Sequence, residues 1–600
     1  MKKLLFLLAA LGCVASMAAQ QDKRLKGVEV ELNKILSATK SAGFAVAVVE
    51  GDKIIYSQGF GYRDYEKKLP VDANTLFAIG SSTKAFTSAI LGQLRKDDKL
   101  SLEDSPRKYI PELKFFNNEM NDEIIIKDLM CHRTGLSRHD MSWYYFPTAS
   151  KDSLLLRLAY QEPFTKVRAQ WNYNNFMFLA QGVIAERITK KSWEDNIKER
   201  FFTPLGMTRS NASITEMKAS SNAAIGYELK KDDVISKMEY YDISGMSPAG
   251  SINSSVNDMA NWLITWINKG KYKGQEIIPA NYIDEAISPQ MVIAGGLPSK
   301  EFPDVHFSNY GYGWFLKSYK GHYRVGHGGN IDGFSADVTF FPSDNIGIVV
   351  LVNQNGSSVP GLVRNTVADF ILKLKKTDYA KKYKEDAEKE KTAEKEAKDK
   401  ATASNVANTK PSHVLQDYTG PYANAGYGEF IVTNENDSLF VNFKHKKMYL
   451  KHVHYDVFEP FEVTKTGIDL TDTGELRFNF TTNETGDIAS LKAKVDSALE
   501  PIEFKHKPNT IKVDKDVLAK YTGEYELGGM VAKVYVKNEN KLYVFVPGQP
   551  EYELLATGPN KFSFKALEGF KLEFVEEADK SIKSLQFKQP NGVFTAKRKL

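Results

Sequence analysis

The chain has 600 residues, of which 42% are hydrophobic and 12% aromatic, enough for several buried cores and, from length alone, for ~3 to 4 domains. Its 80 basic and 75 acidic residues leave a formal net charge of only +5. So small a surplus excludes the strongly basic class of nucleic-acid-binding proteins, and no nucleic-acid partner is predicted.

The first 19 residues are typical of a secretory signal peptide. They combine Lys2 and Lys3, a short apolar core and small residues before Gln20. Removing them takes away two lysines and no acid, which lowers the net charge from +5 to +3. Lipoprotein processing with a lipid anchor at Cys13 is the alternative. No other run reaches the ~18 apolar residues of a membrane span, so we expect an exported protein, periplasmic or secreted, of bacterial origin.

A helix over about residues 21–40 is predicted next, followed by a hairpin. The hairpin strands begin at Gly43 and Lys53 and join at Gly51 and Asp52, a turn pair between two apolar runs. This hairpin leads into the first motif that carries chemistry.

Ser81 and Lys84 stand at the start of an apolar-periodic run, Phe77 to Leu94, that predicts a helix. Residues i and i+3 share a helix face, so the Ser81 hydroxyl and the Lys84 amine can come within hydrogen-bonding reach. A position near the helix N-terminus would also turn the Ser81 backbone NH towards a reacting group. The pattern suits an activated nucleophile, but Ser-x-x-Lys alone is a weak signal.

Two further motifs follow in the chain. Tyr173-Asn174-Asn175 comes just before a helical apolar pattern, and His327-Gly328-Gly329 enters a series of short strands. Between them, residues 245–268 predict a Gly-rich loop and then a helix. His132, His139 and Asp140 are close in sequence, but their spacing matches no zinc pattern, so no metal site is predicted.

The third motif is followed by two strong strand patterns, 334–341 and 347–353, and by a helix over about 360–374. Antiparallel sheet flanked by helices is an α+β arrangement, and we assign residues 23–375 to this domain. Residues 375–400 then contain 10 lysines and 8 acidic residues. We interpret 376–410 as a charged helical or flexible linker.

The last third of the chain contains a repeat. Asp417-Tyr-Thr-Gly-Pro-Tyr422 recurs as Lys520-Tyr-Thr-Gly-Glu-Tyr525, about a hundred residues later. Dense alternating strand patterns accompany both copies. We therefore predict two small antiparallel β-barrel modules, residues 411–507 and 511–600.

The three motifs, in this order, resemble the serine β-lactamase superfamily: Ser-x-x-Lys, Tyr-x-Asn and His-x-Gly. The match is to the class C β-lactamase, DD-peptidase, D-aminopeptidase and esterase side. Residues 126–136 also resemble that family's His-containing turn. The two C-terminal modules resemble the lipocalin-like domains attached to some D-aminopeptidases. The resemblance implies a β-lactamase/transpeptidase-like sheet flanked by helices.

The resemblance also implies roles for single residues. Ser81 would be the nucleophile, and either Lys84 or Tyr173 the base. A lysine is a base only when neutral, and burial and neighbouring positive charge both favour that state. The oxyanion hole would be formed by the backbone NH groups of Ser81 and Asn330.

Asn175, His327 and Gly329 would contact the substrate, and the loop before residue 256 could line the site. A histidine with an ordinary pKa near ~6.5 is mostly neutral at pH ~7.5, so it attracts a substrate carboxylate less than a lysine does. We therefore expect a serine hydrolase that cleaves small ester, amide or peptide substrates through an acyl-enzyme on Ser81, without a cofactor. The alternatives are a β-lactamase or DD-peptidase, an acyltransferase to an alcohol, and a non-catalytic binding or sensor protein.

Overall fold

The computed structural model describes residues 22–599 except 231–232, 294–297, 301–302, 404, 466, 471–475, 497, 539 and 568. The predicted signal peptide, with Cys13, lies outside the described residues. The chain divides into two compact units. Unit 1 comprises the chain up to Tyr109, Ile125–His132 and Met177–Lys391, and unit 2 comprises Ile110–Ile124, Arg133–Phe176 and the chain from Thr392 onward.

Helices are found throughout the first 400 residues and once near the C-terminus. In chain order they are α1 Val28–Thr39, α2 Lys84–Lys96, α3 Asn118–Glu123, α4 Ile126–Met130, α5 Met141–Tyr144, α6 Lys151–Leu155, α7 Phe176–Thr189, α8 Trp193–Ile197, α9 Ile214–Ala219, α10 Ser247–Gly250, α11 Val256–Ile267, α12 Ala280–Ala286, α13 Val359–Ile371, α14 Tyr379–Ala403 and α15 Lys515–Ala519. The first helix begins later than the predicted residue 21, after Gly27, whose φ of +83° is left-handed and breaks the helical path.

The strands of unit 1 include those of its main sheet and three short pairs. They are β1 Gly43–Glu50, β2 Lys53–Asp64, β3 Leu69–Pro70, β4 Phe77–Ala78, β5 Tyr227–Lys230, β6 Val234–Lys237, β7 Asn253–Ser254, β8 Lys271–Tyr272, β9 Gln275–Glu276, β10 Met291–Val292, β11 Ser308–Tyr310, β12 Phe315–Tyr319, β13 His322–Ile331, β14 Phe334–Phe341 and β15 Ile346–Val352. In the described residues, the main sheet has nine strands in the order β10-β11-β12-β13-β14-β15-β1-β2-β3, with antiparallel neighbours.

The sheet of unit 1 is covered by helices on both faces. Alternate residues such as Ile348 share a buried cluster with α1 and α13. Gly347 points the opposite way, and a Cβ there would lie 3.1 Å from Ile267 and 3.2 Å from Leu263, both on α11. Both faces are therefore buried, which explains why β1, β14 and β15 are nearly continuous apolar runs. The predicted α+β fold is confirmed.

The first β module forms a barrel in unit 2. Its strands are β16 Gly420–Asn424, β17 Gly428–Asn434, β18 Leu439–Asn442, β19 Lys447–His454, β20 Val457–Thr464, β21 Gly467–Ile468, β22 Phe478–Thr482, β23 Ile488–Ala493 and β24 Ile502–His506. The order β19-β18-β17-β16-β24-β23-β22-β20 closes through pairing of β19 with β20, as far as the described residues show. The predicted antiparallel barrel is confirmed.

The core of this barrel extends beyond its own strands. Phe146, more than 250 residues earlier in the chain, is buried in the same aromatic cluster. Its ring centroid lies 5.6 Å from that of Phe443, 6.1 Å from Phe504 and 6.3 Å from Phe430. Gly428 approaches the Phe146 ring so closely that a Cβ there would meet it at 2.7 Å. The segment 133–176 and the first barrel therefore share one hydrophobic core.

The second module is a separate closed barrel. Its strands are β25 Gly523–Leu527, β26 Met530–Lys537, β27 Lys541–Phe545, β28 Tyr552–Gly558, β29 Lys561–Phe564, β30 Lys571–Glu576, β31 Ile582–Gln589 and β32 Gly592–Arg598. Within the described residues these eight strands pair in chain order, and β25 closes on β32. Both repeats use the same tyrosine contact: Tyr422 donates to the carbonyl of Tyr418, and Tyr525 to that of Tyr521.

The remaining features concern α14 and α4. The predicted linker contains the helix α14, in agreement with its many Glu and Lys residues, while the domain boundaries drawn from the sequence stay predictions. None of the helices in the described ranges is both long and apolar enough to cross a bilayer. Cys131, just after α4, is a buried thiol.

The shared core predicts different outcomes for two truncations. A chain ending at Lys375 would lose the aromatic partners of Phe146 and should unfold at a lower temperature or aggregate, since losing the contacts of a buried Phe costs about 3 to 5 kcal/mol. A chain ending at Lys507 retains that core and should unfold like the full chain. Thermal unfolding and soluble yield measure this, and equal stability of the two truncated chains would contradict it.

Candidate active site

Ser81 lies in a tight turn rather than in the first turn of the α-helix. The turn is a 3₁₀ helix, Gly80–Thr83, and α2 begins at Lys84. Gly80 has a φ of +49°, a left-handed conformation that places the serine directly after a sharp change of direction. The backbone NH of Lys84 donates to the carbonyl of Ser81.

The Lys84 amine is held at the Ser81 hydroxyl. Its Nζ lies 2.9 Å from Ser81 Oγ and donates to the backbone carbonyl of Ala249 at 2.8 Å. The lysine side chain is fully buried, and Nζ is 5.4 Å from the centroid of the Phe178 ring. The predicted contact between the first-motif residues is therefore present, with an acceptor that residue types in the sequence did not reveal.

The loop that supplies Ala249 is fastened to the nucleophile turn at several points. Thr87 Oγ1 donates to the carbonyl of Pro248 at 2.7 Å. Thr83 Oγ1 accepts from the NH of Ile252 at 3.2 Å, and the Ile252 carbonyl accepts from the NH of Ile79 at 2.9 Å. The Gly-rich loop expected near the site thus contacts the catalytic turn directly.

Strand β13 approaches the same turn without room for a side chain. A Cβ on Gly329 would lie 1.9 Å from the carbonyl oxygen of Ile79 and 3.1 Å from the NH nitrogen of Ser81. A Cβ on Gly80 would lie 2.8 Å from the NH nitrogen of Asn330. Ser82 Oγ adds a hydrogen bond of 2.9 Å to the carbonyl of His327. The Asn330 and Ser81 backbones, the two predicted oxyanion contributors, are therefore close neighbours.

The hydrogen bonds of His327 are consistent with a neutral ring. A carbonyl can only accept, so Nδ1 carries the proton donated to the carbonyl of Gly328 at 2.6 Å. Nε2 then accepts from the Tyr310 hydroxyl at 2.9 Å. Burial, reinforced by the positive charge of Lys84, lowers the pKa of His327 to about 3. The ring therefore carries no charge at neutral pH.

Tyr310 was missed in the sequence, where it is one of 29 tyrosines in an unremarkable strand. It lies on β11, two strands from His327 in the sheet, and its ring also packs 4.9 Å from that of His132. A single chain offers no pattern that links a strand tyrosine to a histidine 17 residues later.

The second motif belongs to unit 2, where polar contacts fix its backbone and side chains. Asn175 donates from Nδ2 to Asp140 Oδ1 at 2.7 Å, and Asn174 donates to the carbonyl of Ser137 at 2.5 Å. The guanidinium of Arg138 lies 4.7 Å from the centroid of the Tyr173 ring. Burial would lower the pKa of Arg138, but Asp140 and Tyr173 outweigh it, and that pKa is raised.

The loop that holds this motif is in turn attached to the first barrel. Asp496, after β23, accepts from Ser137 Oγ at 2.8 Å and from the NH of His139 at 3.3 Å. The buried ring of His139 contacts the Tyr427 hydroxyl at 2.9 Å and the carbonyl of Glu162 at 3.1 Å. Burial lowers the pKa of His139, which agrees with a structural role for this residue.

No group of three or more His, Cys, Asp or Glu side chains that could hold a metal ion occurs among the residues that the structure describes. His139 is occupied by Tyr427 and Glu162, as described above. His452, also considered from the sequence, contacts the carbonyl of Tyr455 at 2.8 Å.

Comparison with known families agrees with this geometry. The Beta-lactamase family model matches residues 25–373, more than half of the chain. The chain belongs to the beta-lactamase family. The recognition from three motifs and the predicted fold are therefore confirmed, and the predicted class, a hydrolase related to β-lactamases, agrees with them. A second model, described as a domain of unknown function (DUF3471), matches residues 404–506.

Family relatives share the catalytic part of the chain. Protein flp of Staphylococcus aureus is 29% identical over 331 residues, which is 54% of this chain and 62% of that protein. Unguisins hydrolase ungD' of Aspergillus campestris is 28% identical over 332 residues, 53% of this chain and 59% of that protein. The chain thus spans less than two thirds of the length of these curated relatives.

A solved structure shows the same fold. The octameric penicillin-binding protein homologue from Pyrococcus abyssi aligns with a TM-score of 0.53 at 18% identity. The alignment covers 80% of this chain and 99% of the archaeal one. At that identity the likeness concerns the fold alone.

Gly329→Ala is expected to displace β13 from the nucleophile turn, because the added methyl would collide with the Ile79 carbonyl. A shift of about 1 Å at a reacting centre can lower turnover ~10²-fold. The neighbouring Gly328→Ala should be far milder, since its Cβ would meet nothing closer than Ala336 at 3.4 Å. Labelling by a fluorophosphonate probe measures both, and equal labelling of the two variants would refute this steric account.

His327 is expected to make folding sensitive to acid. Its pKa is about 3 when folded and ~6.5 when unfolded, so between these values the unfolded chain binds the extra proton and stability rises with pH. His327→Asn should remove that component between about pH 4 and 6.5. Denaturant unfolding over a pH series measures it. His322→Asn, a half-buried histidine on the same strand, is the control, and an unchanged pH slope in His327→Asn would contradict the prediction.

Proposed function

We propose that this protein is an exported serine hydrolase that cleaves small ester, amide or peptide substrates through an acyl-enzyme on Ser81. The observation that carries the proposal is the buried Lys84 amine 2.9 Å from the Ser81 hydroxyl. A serine hydroxyl is a weak nucleophile until a neighbouring base removes its proton. Membership of the beta-lactamase family supports the same chemistry.

The proposed reaction has two steps. A base takes the Ser81 proton as Oγ attacks the substrate carbonyl, and the NH groups of Ser81 and Asn330 stabilise the resulting oxyanion. The leaving alcohol or amine receives the proton, which leaves an ester on Ser81. Water then attacks that ester by the reverse proton transfers and releases the acid. The close approach of Gly329 and Gly80 at this point supports the oxyanion assignment.

We assign the proton transfer to Lys84 and Tyr173 as a coupled pair, with Asn175 contacting the substrate. The Ala249 carbonyl orients the Lys84 amine at Ser81. Arg138 favours the phenolate form of Tyr173, because a nearby positive charge stabilises an anion. Either residue can serve as the first base, and the variants described next separate them.

The neutral His327 supports the choice of substrate. A fixed positive charge in that position would attract a substrate carboxylate, whereas an uncharged ring offers only a hydrogen bond. The depressed pKa makes this argument stronger than an ordinary histidine would. We therefore rank esters and amides above β-lactams and carboxylate-terminated peptides. The name of the relative Unguisins hydrolase ungD' supports a hydrolase function in general terms.

Export is part of the proposal and rests on the first 19 residues, whose basic, apolar and small-residue sections follow the order of a signal peptide. Expression with and without these residues, followed by cell fractionation, tests it. Equal cytoplasmic retention of both forms would count against export.

Ser81→Ala is expected to abolish turnover, and Lys84→Ala to lower kcat ~10²- to 10⁴-fold, the usual contribution of a general base. Tyr173→Phe should fall in the same range if the two residues share the proton. Lys96→Ala, at the exposed end of the same helix, is the matched control and should retain full activity. Near wild-type rates in Lys84→Ala would show that Lys84 is not the base.

A kinetic comparison of p-nitrophenyl esters, D-amino-acid p-nitroanilides and nitrocefin tests the substrate class, with Ser81→Ala as the blank. We expect the highest kcat/KM for an ester or anilide. Preference for nitrocefin by about tenfold, or ~1.4 kcal/mol of transition-state binding, would reverse our ranking. Adding an alcohol to the ester assay shows whether the acyl group passes to an acceptor other than water.

A further inference from the structure

A cavity of about 180 Å³ lies beside the sheet of unit 1, away from the proposed active site. It is lined by residues of β12, β13, β14 and α13: Phe315, Lys317, Arg324, Gly326, Gly328, Asp337, Thr339 and Arg364. Arg324 and Gly326 alternate with Val325 and His327 on β13, and alternate residues point to opposite faces. The cavity therefore lies on the face of β13 opposite the His327 ring, where α13 packs.

The cavity contains more positive than negative charge. Lys317, Arg324 and Arg364 face a single carboxylate, Asp337, which leaves two positive charges without balance. Asp337 is already used: it accepts from Arg364 and from Thr339 Oγ1. The side chains of Arg364 and Asp337 are 16% and 11% exposed, so solvent compensates this charge only weakly.

Arg324 and Lys317 are the two cations that remain. In the described part of the chain, neither side chain has a hydrogen bond or an ion pair, and Arg324 has only the Tyr319 ring, 5.5 Å from its guanidinium carbon. Burial and the charge of Arg364 lower the pKa of Arg324 to about 9, and burial and Arg324 lower the pKa of Lys317. Two half-buried cations thus repel each other across an open space.

We propose that this cavity binds a compact dianion, of the phosphate, sulfate or small dicarboxylate type, between Lys317, Arg324 and Arg364. A dianion supplies the two negative charges that the lining lacks. The planar guanidinium of Arg324 matches the paired oxygens of phosphate and carboxylate, and the Lys317 amine adds a point charge. The backbones of Gly326 and Gly328 leave the space between these side chains open.

Isothermal titration of the full chain with inorganic phosphate, at constant ionic strength in a chloride buffer, tests the proposal. One ion should bind per chain, with a Kd of about 1 mM or tighter. Arg324→Gln and Lys317→Gln should each weaken binding about tenfold or more, since each removes a charge-assisted hydrogen bond. Lys271→Gln removes an exposed lysine of the short strand β8 and should bind as the wild type does.

Sulfate, methyl phosphate and succinate titrations identify the source, because the anion that binds tightest names the physiological class. Absence of binding by all four anions would overturn the proposal, as would binding that survives both Arg324→Gln and Lys317→Gln. If Arg324→Gln does not fold, the half-buried Lys317→Gln keeps the test decisive. Arg324→Met gives a second readout: it should raise the unfolding temperature without phosphate, and phosphate should stabilise only the wild type. Lower stability of Arg324→Met in both buffers, together with no binding to the wild type, would refute the site.

Discussion

The catalytic turn of unit 1 depends on the need of one buried amine for hydrogen-bond partners. Lys84 is fully buried, and an amine placed there without acceptors would cost several kcal/mol. Ser81 Oγ and the Ala249 carbonyl meet that need, and they come from opposite sides of the lysine. The loop that carries Ala249 must therefore lie against α2, and its bonds to Thr83 and Thr87 keep it there. The reactivity and the local fold thus have the same cause.

Sequence reasoning identified the parts of the site that depend on residue type at fixed spacing. Ser81 and Lys84 are three residues apart on one turn, and His327 and Gly329 are two apart on one strand, so both pairs were predictable. The partners that complete the site were not. Ala249 contributes a backbone carbonyl, which every residue possesses, and Tyr310 is joined to His327 only through the order of the strands. The displacement of Ser81 into a 3₁₀ turn follows from the left-handed Gly80, which the helical pattern after it concealed.

The repeat in the sequence predicted two barrels, but it could not predict what the first barrel encloses. Strand alternation shows which residues point inward, whereas the identity of a distant partner depends on tertiary packing. Phe146 joins the barrel core, and Asp496 holds the loop of Ser137 and His139. The Tyr173 motif is therefore supported by residues of a module that the sequence presented as an appendage. Specialisation of this family member can thus arise in the barrel as readily as in the catalytic motifs.

The single cysteine beyond residue 13 gives the molecule an internal reporter. Cys131 is buried immediately before His132, in the turn that follows α4. A thiol reacts with a solvent-borne reagent only while its surroundings are open, so the rate of labelling measures how often this part of unit 1 unfolds locally. With no second cysteine in the mature chain, the measurement needs no mutation and no disulfide interferes with it. Folding is likewise independent of the redox state of the compartment in which the chain matures.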